Sequence, residues 1–376
     1  DMILTLEAYG VTVTWDKPSS TLELQAVSPT SILPATNLGE NIRAAFLVFG
    51  PLLARTGRAE VYKPGGCKIG KRPVDFHVKA MKDMEATLIT DDFDKVFMKA
   101  KDRLNLKPGL ITFVKPSVGA TETALMAASL VNGETVIRNA AIEPEICNLA
   151  NMLIKMGARI KIRQDVPITE DITRFGIKEE IEQWNVITVN GCKPLKGVDH
   201  QVMPDRIEFG TYAIAAAMNN ATIVLEVKED MKETMLKSIR QPLKEAGVKM
   251  EDKWSRLDEY EGIKISLKDG TIKPVDIKTG PYPDFPTDLL PQWVAFMTQA
   301  TPSSDTDYSK VHEQIFENRF NYVKGLREMG ARIEEVNDSD NEYRVYGGAE
   351  LNGTRVDATD LRGGAALVLA GLVAKG

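Results

Sequence analysis

The chain has 376 residues, 43% of them hydrophobic and 27% charged, with a formal net charge of −6. That length allows two domains with sizeable cores. The acid excess argues against a general nucleic-acid binder, so any basic cluster serves a local anionic ligand. Three well-separated cysteines, Cys67, Cys147 and Cys192, and three histidines, His77, His200 and His312, show no zinc spacing. They fit a reducing compartment better than a disulfide framework. The longest apolar run, AAFLVFGPLLA, is too short to span a bilayer and is broken by Gly and Pro. The opening DMILTLEAYG has no basic n-region or cleavage site, so a cytoplasmic protein is expected.

In chain order, MILTLEAYGVTVTWD (2–16) shows apolar residues at helical spacing, then a glycine able to end the helix, then an alternating strand-like run. RAAFLVFGPLLARTG (43–57) is a different element, an apolar helix rich in small residues. The first plan recurs in HVKAMKDMEATLIT (77–90), with Glu85 where Gly is expected. It returns in LANMLIKMGARIKI (149–162), LKSIRQPLKEAGVKMED (236–252) and VKGLREMGARIEEV (323–336). The small-residue helix recurs near 120, 208, 287 and 361, a period of roughly 75 to 90 residues.

Each repeat reads helix, strand, helix, strand, with both helices apolar, so the helices belong inside or between sheets in an α/β architecture. The chain opens on the second half of a repeat and closes on the first half of another. Six repeats, three to a domain, are therefore expected, with the terminal half-repeats missing from these residues. The break between domains is expected near DHQVMPDRIE, giving domains of 1–203 and 204–376. RQDVPITEDITRFGIKEEIEQWN (163–185) has no counterpart in the other repeats and reads as a surface insertion.

Several stretches carry residue types suited to chemistry. In KPGGCKIGKRPVDFH (63–77), Cys67 lies among Lys63, Lys68, Lys71 and Arg72, with Lys79 nearby. A positive field lowers a thiol's pKa and makes it more reactive. FVKPSVGATET puts Lys115, Ser117 and Gly119 at the mouth of a small-residue helix, where amides and the dipole favour an anion, or where Ser simply caps the helix. Glu143 and Glu145 flank Pro144 in ordinary helix-start chemistry. Asp205, Arg206 and Glu208 precede another helix. In YPDFPTDLLPQ two prolines stiffen the approach to Thr287 and Asp288, either of which suits a helix cap. IFENRF pairs Glu317 and Arg319 with apolar anchors, and TDLRGG places Arg362 in a first helical turn, unfavourable to the dipole unless an anion binds there. Arg43, Lys63, Arg72, Lys115 and Arg362 together imply a phosphate-bearing ligand.

GGCKIGKRPVDFH, KPSVGATE, AAIEPEI, MPDRIEFGTY, FPTD, IFENRF and TDLR occur in the order found in the UDP-N-acetylglucosamine 1-carboxyvinyltransferases, enolpyruvyl transferases of peptidoglycan synthesis that this chain resembles over nearly its whole length. The resemblance implies a two-domain inside-out α/β barrel of repeated β-α-β-α-β-β units. It implies transfer of enolpyruvate from phosphoenolpyruvate to the 3-hydroxyl of UDP-N-acetylglucosamine, with release of phosphate and with no metal or organic cofactor. By the same likeness Cys67 is the acid and the thiol alkylated by fosfomycin, and Asp288 is the base. Arg72 and Arg362 hold the carboxylate and phosphate of phosphoenolpyruvate, and Arg43 matches the Arg of a Lys-Met-Arg-Ala pattern. Pro73, Val74 and Asp75 follow Arg72 along the uridine, and His77 closes the motif among the substrate contacts. Lys115, Ser117, Val118 and Gly119 match diphosphate and ribose contacts, and Ile315 flanks the sugar. The implied partners are the two substrates alone, with no nucleic acid or membrane, and a monomer.

The sequence also departs from the pattern. Glu40 replaces a lysine that the family carries ahead of the Arg matched by Arg43, and an N-terminal Lys-Asn pair and a late Arg are absent. Little turnover is therefore expected from these residues alone. The alternative is a catalytically silent paralogue that binds UDP-N-acetylglucosamine as a sensor. Retention of Cys67, Asp288, Arg72 and Arg362 counts against it, because a pure binder needs neither thiol nor base.

Overall fold

The repeats fold as helix–strand–helix–strand–strand, and the additional strand is what lets each build its own small sheet. The computed structural model describes residues 1–30, 42–65, 73–102, 105–168, 183–192, 194–255, 260–302, 307–336 and 341–376. They form two compact bodies, one reaching Gln201 and the other running from Val202 to Gly376.

The N-terminal body opens with α1 (Met2–Ala8) and the hairpin β1 (Thr12–Asp16) and β2 (Thr21–Gln25). A 3₁₀ turn at Arg43–Val48 leads into α2 (Phe49–Thr56), β3 (Arg58–Tyr62), α3 (Asp75–Asp83), β4 (Ala86–Asp91) and β5 (Lys95–Ala100). After β6 (Leu110–Thr112) come α4 (Val118–Ser129), β7 (Gly133–Arg138), α5 (Pro144–Lys155), β8 (Arg159–Pro167) and β9 (Gln183–Gly191). The sheets run β3–β5–β4 and β6–β7–β9–β8, and only the β6–β7 pair is parallel.

The C-terminal body repeats the scheme. It contains α6 (Arg206–Met218), β10 (Ile223–Glu226), α7 (Glu229–Leu236), α8 (Arg240–Glu245), β11 (Val248–Ser255) and β12 (Tyr260–Leu267). Then follow β13 (Ile277–Lys278), α9 (Leu290–Met297), β14 (Tyr308–His312), α10 (Val323–Glu328), β15 (Ile333–Glu335), β16 (Glu342–Tyr346) and α11 (Leu361–Val373). Its sheets run β10–β12–β11 and β13–β14–β16–β15. In all four sheets the last strand of the repeat lies between the two strands before it.

The apolar helices α4 and α9 occupy the interior of their bodies, as two-sided hydrophobicity requires. Every residue of α9 is buried, Trp293 and Phe296 among them, and α4 is buried along most of its length. Small residues permit this closeness: a Cβ at Gly50 in α2 would stand 2.5 Å from the Thr123 carbonyl oxygen of α4. The second helix of each repeat ends in a left-handed residue, at Gly10 (φ 82°), Glu85 (63°), Gly157 (115°), Gly247 (96°) and Gly330 (106°). Glycine takes that conformation without steric penalty, whereas Glu85 adopts it carrying a side chain.

The 163–185 segment is not simply a surface insertion. Its ends extend β8 and β9, with Val166 opposite Trp184 and Pro167 opposite Gln183. Trp184 and Val186 are buried with Val114, Val136, Val166 and Ile168 packed against them. The stretch 169–182 lies outside the described residues. Among the described residues, no helix is long and apolar enough to cross a membrane.

Candidate active site

In the C-terminal body the site is built on the connection from β13 to α9. Phe285 is anchored in the core, and Pro286 holds the extended backbone that starts a 3₁₀ turn at Thr287–Leu289. Pro291 occupies the first turn of α9, where a missing N–H is harmless. Neither Thr287 nor Asp288 caps the helix, because both side chains are engaged elsewhere. The Asp288 carboxylate accepts a 2.6 Å hydrogen bond from Arg319 Nη2, and Arg362 Nε stands 3.7 Å from the same oxygen. Asp288 itself remains half exposed, so one carboxylate faces solvent with two guanidinium groups beside it.

Arg319 is only 1% exposed, although its motif reads as surface charge. Its Nε and Nη2 donate to the Thr287 carbonyl at 3.0 and 2.8 Å, in the two-pronged geometry the planar guanidinium favours. Its Nη1 lies 4.0 Å from Asp360, whose buried carboxylate caps α11 by accepting from the amides of Arg362 and Gly363, both at 3.1 Å. The anion that offsets Arg362 in its unfavourable first-turn position is thus available within the chain. Ile315 lies on the segment between β14 and α10, and its amide donates to Glu313 at 2.6 Å. Tyr322 is fully buried nearby. Burial pushes its hydroxyl well above the usual tyrosine range, against the pull of Arg319, so the phenol stays protonated.

The N-terminal body gathers a second group. Arg43 begins the 3₁₀ turn ahead of α2, and its Nη2 donates to the Pro73 carbonyl at 3.3 Å, which ties it to the Pro73–Val74–Asp75 segment leading into α3. Val74 is buried, while Pro73 and Asp75 are exposed. His77, 3% exposed, shares a 2.9 Å hydrogen bond through Nδ1 with Thr123 Oγ1 and stacks edge-on against Phe46. Burial, helped by the Arg43 charge, lowers the imidazole to about 3, so it is neutral. Its Nε2 makes no hydrogen bond among the described residues.

Gly119, in the first turn of α4, lies against this ring: a Cβ there would come 3.0 Å from Cε1 and 3.2 Å from Nε2. Ser117 holds the N-cap position of α4 with extended backbone but makes no capping bond, and Lys115 and Val118 are exposed beside it. The α4 mouth therefore combines uncapped amides, a nearby lysine and a neutral buried imidazole, a set able to receive an anionic or polar ligand group. Lys63 follows β3 rather than lying at a helix mouth and pairs with Asp91 at 2.7 Å, and Lys79 pairs with Asp83. Both are thus withdrawn from the expected basic cluster. Glu143 and Pro144 start α5 as expected, and Asp205 caps α6 through Ile207 and Glu208. Cys67, Arg72 and Glu40 lie outside the described residues.

Four residues that shape these clusters escape the sequence reading: Arg319 as a buried cation, Glu313, Asp360 and Thr123. Only Asp360 leaves a clear local signal, an Asp immediately before an apolar helix.

The fold is that of the enolpyruvyl transferases. The enolpyruvyl transferase NikO from Streptomyces tendae superimposes with a TM-score of 0.77 at 20% identity, over 99% of this chain and 79% of that one. EPSP synthase from Acinetobacter baumannii gives 0.66 at 18% identity, over 100% and 81%. The sequence profile described as EPSP synthase (3-phosphoshikimate 1-carboxyvinyltransferase) matches residues 1–170 and 165–376. The UDP-N-acetylglucosamine 1-carboxyvinyltransferase of Xanthobacter autotrophicus is 42% identical over 95% of this chain and 74% of its own length. UDP-N-acetylglucosamine 1-carboxyvinyltransferase 2 of Carboxydothermus hydrogenoformans is 40% identical over 100% and 80%. The chain belongs to the EPSP synthase family and, within it, to the UDP-N-acetylglucosamine 1-carboxyvinyltransferases.

Proposed function

We infer that the protein transfers the enolpyruvyl group of phosphoenolpyruvate to the 3-hydroxyl of UDP-N-acetylglucosamine and releases inorganic phosphate, acting as a cytoplasmic monomer. The observation that carries this reading is the solvent-facing Asp288 carboxylate with Arg319 and Arg362 beside it. A general base needs an accessible, oriented carboxylate, and a substrate with both carboxylate and phosphate needs fixed guanidinium charge.

Addition comes first. Asp288 takes the sugar hydroxyl proton as that oxygen bonds to C2 of phosphoenolpyruvate, and Cys67 gives a proton to C3. Elimination then returns a proton from C3 to the Cys67 thiolate, restores the C2–C3 double bond and breaks the C2–O bond to phosphate, which leaves with the proton that Asp288 took. Arg362 and Arg72 stabilise the charge on the carboxylate and the departing phosphate. Arg43, the Pro73–Val74–Asp75 segment, His77 and the α4 mouth at Lys115, Ser117, Val118 and Gly119 hold the nucleotide portion. Ile315 packs against the sugar.

The test is phosphate release from phosphoenolpyruvate by the complete gene product, with and without UDP-N-acetylglucosamine. Release that depends on the sugar nucleotide and falls at least 100-fold in Cys67→Ala and Asp288→Asn supports the reading, a size in line with general acid–base contributions. Binding of the sugar nucleotide without release overturns it in favour of a silent binder.

A further inference from the structure

Resting on that transferase reading, we propose that Glu313 is a positioning residue that holds the Asp288 turn and the Ile315 turn in register for the reaction. Glu313 follows β14 directly and is 2% exposed. Both its oxygens are used. Oε1 accepts from the amides of Ile315 at 2.6 Å and Phe316 at 3.1 Å, which closes the turn carrying Ile315. Oε2 accepts from the Thr287 hydroxyl at 2.7 Å, in the residue just before Asp288.

The backbone around Glu313 is itself fixed. Its amide donates to the Asn341 carbonyl, and the Gln314 amide donates to Thr279 Oγ1, both at 3.0 Å. Thr287 is therefore gripped twice, through its hydroxyl by Glu313 and through its carbonyl by Arg319. The next side chain, Asp288, leaves a backbone that these two contacts orient. A buried carboxylate needs hydrogen-bonded partners to be tolerated. Here its three hydrogen bonds come from the two turns assigned to the base and to the sugar. No step of the transfer protonates Glu313, and it acts only through the residues it holds.

The expected results follow from geometry. Displacing a reacting group by about 1 Å costs on the order of 100-fold in rate, so Glu313→Ala lowers kcat about 100-fold and also raises KM for UDP-N-acetylglucosamine. Thr287→Val cuts only the Oε2 contact, so kcat falls while that KM holds. In Glu313→Gln the amide oxygen still accepts from both backbone amides and its NH₂ donates to Thr287, so most of kcat returns. Because the effect on kcat runs through Asp288, adding Glu313→Ala to Asp288→Asn lowers kcat by less than about 3-fold more.

The proposal is overturned if the two substitutions multiply, or if Glu313→Gln does no better than Glu313→Ala. If Glu313→Ala does not fold, the Thr287→Val and Glu313→Gln arms decide. Amide hydrogen exchange at Ile315 and Phe316 reads the clamp without turnover. Exchange should quicken in Glu313→Ala and hold in Glu313→Gln and Thr287→Val, and unchanged exchange in the alanine variant overturns the clamp. Absence of phosphate release from the wild type, with exchange behaving as expected, overturns the transferase reading and leaves the clamp standing.

Discussion

A buried histidine and a partly buried glutamate of the N-terminal body titrate in opposite directions, and the pH dependence of stability should expose both. Burial and Arg43 lower His77 from 6.5 to about 3. Burial, with Glu145 and Glu143 nearby, raises Glu122 from 4.5 to about 7. For His77 the unfolded chain binds the extra proton between those two values, so stability is present above about pH 6.5 and is lost as pH falls toward 3. For Glu122 the folded chain binds the extra proton, so stability is present below about pH 4.5 and is lost as pH rises through 7. Each shift corresponds to about 1.4 kcal/mol per pH unit, hence roughly 5 kcal/mol for the imidazole and roughly 3 kcal/mol for the carboxyl across their full windows.

Between about pH 4.5 and 6.5 the two slopes oppose each other, and the wild type conceals them. Urea unfolding of the wild type, His77→Gln and Glu122→Gln at several pH values separates them. Glu122→Gln should gain on the wild type by about 2–3 kcal/mol on going from pH 5 to pH 7. His77→Gln should gain on it by about 2 kcal/mol on going from pH 6 to pH 4.5, whatever constant packing loss the substitution carries. Difference curves that stay flat with pH would refute the argument, because burial of an ionisable group must appear as proton linkage.

Arg319→Met should destabilise the protein by about 3–5 kcal/mol in urea unfolding, since it strips the buried cation from between Asp288 and Asp360. A loss below 1 kcal/mol would show that the cation does not hold this cluster together. Glu85→Gly should raise stability by roughly 0.5 kcal/mol, as relief of left-handed strain outweighs the added freedom of the unfolded chain. Glu85→Ala keeps the strained backbone and should show no such gain in thermal melting.

Much of this protein is written locally. Helical apolar spacing followed by a helix-ending residue determines each repeat, because both signals act within a few residues of one another. Even the exception, Glu85, lies at the repeat position where the backbone turns left-handed. The stiff Pro283–Pro286 approach to Asp288 and the Arg at the start of α11 are visible for the same reason. The second strand closing each sheet is less so, since half-buried strands at a surface carry a weak pattern.

Burial of charge is what the tertiary structure alone decides. Arg319 and Glu313 look like surface residues in IFENRF and KVHEQ, yet they are buried because Thr287 and Asp288, 26 to 32 positions away in the chain, supply their partners. His77 reads locally as a titratable histidine, and packing against Phe46 and Thr123, which only the fold supplies, keeps its buried ring neutral. Local sequence sets what backbone a segment adopts. Which charges leave water depends on partners that only the folded chain brings within hydrogen-bonding distance, because an ion without them is too costly to bury.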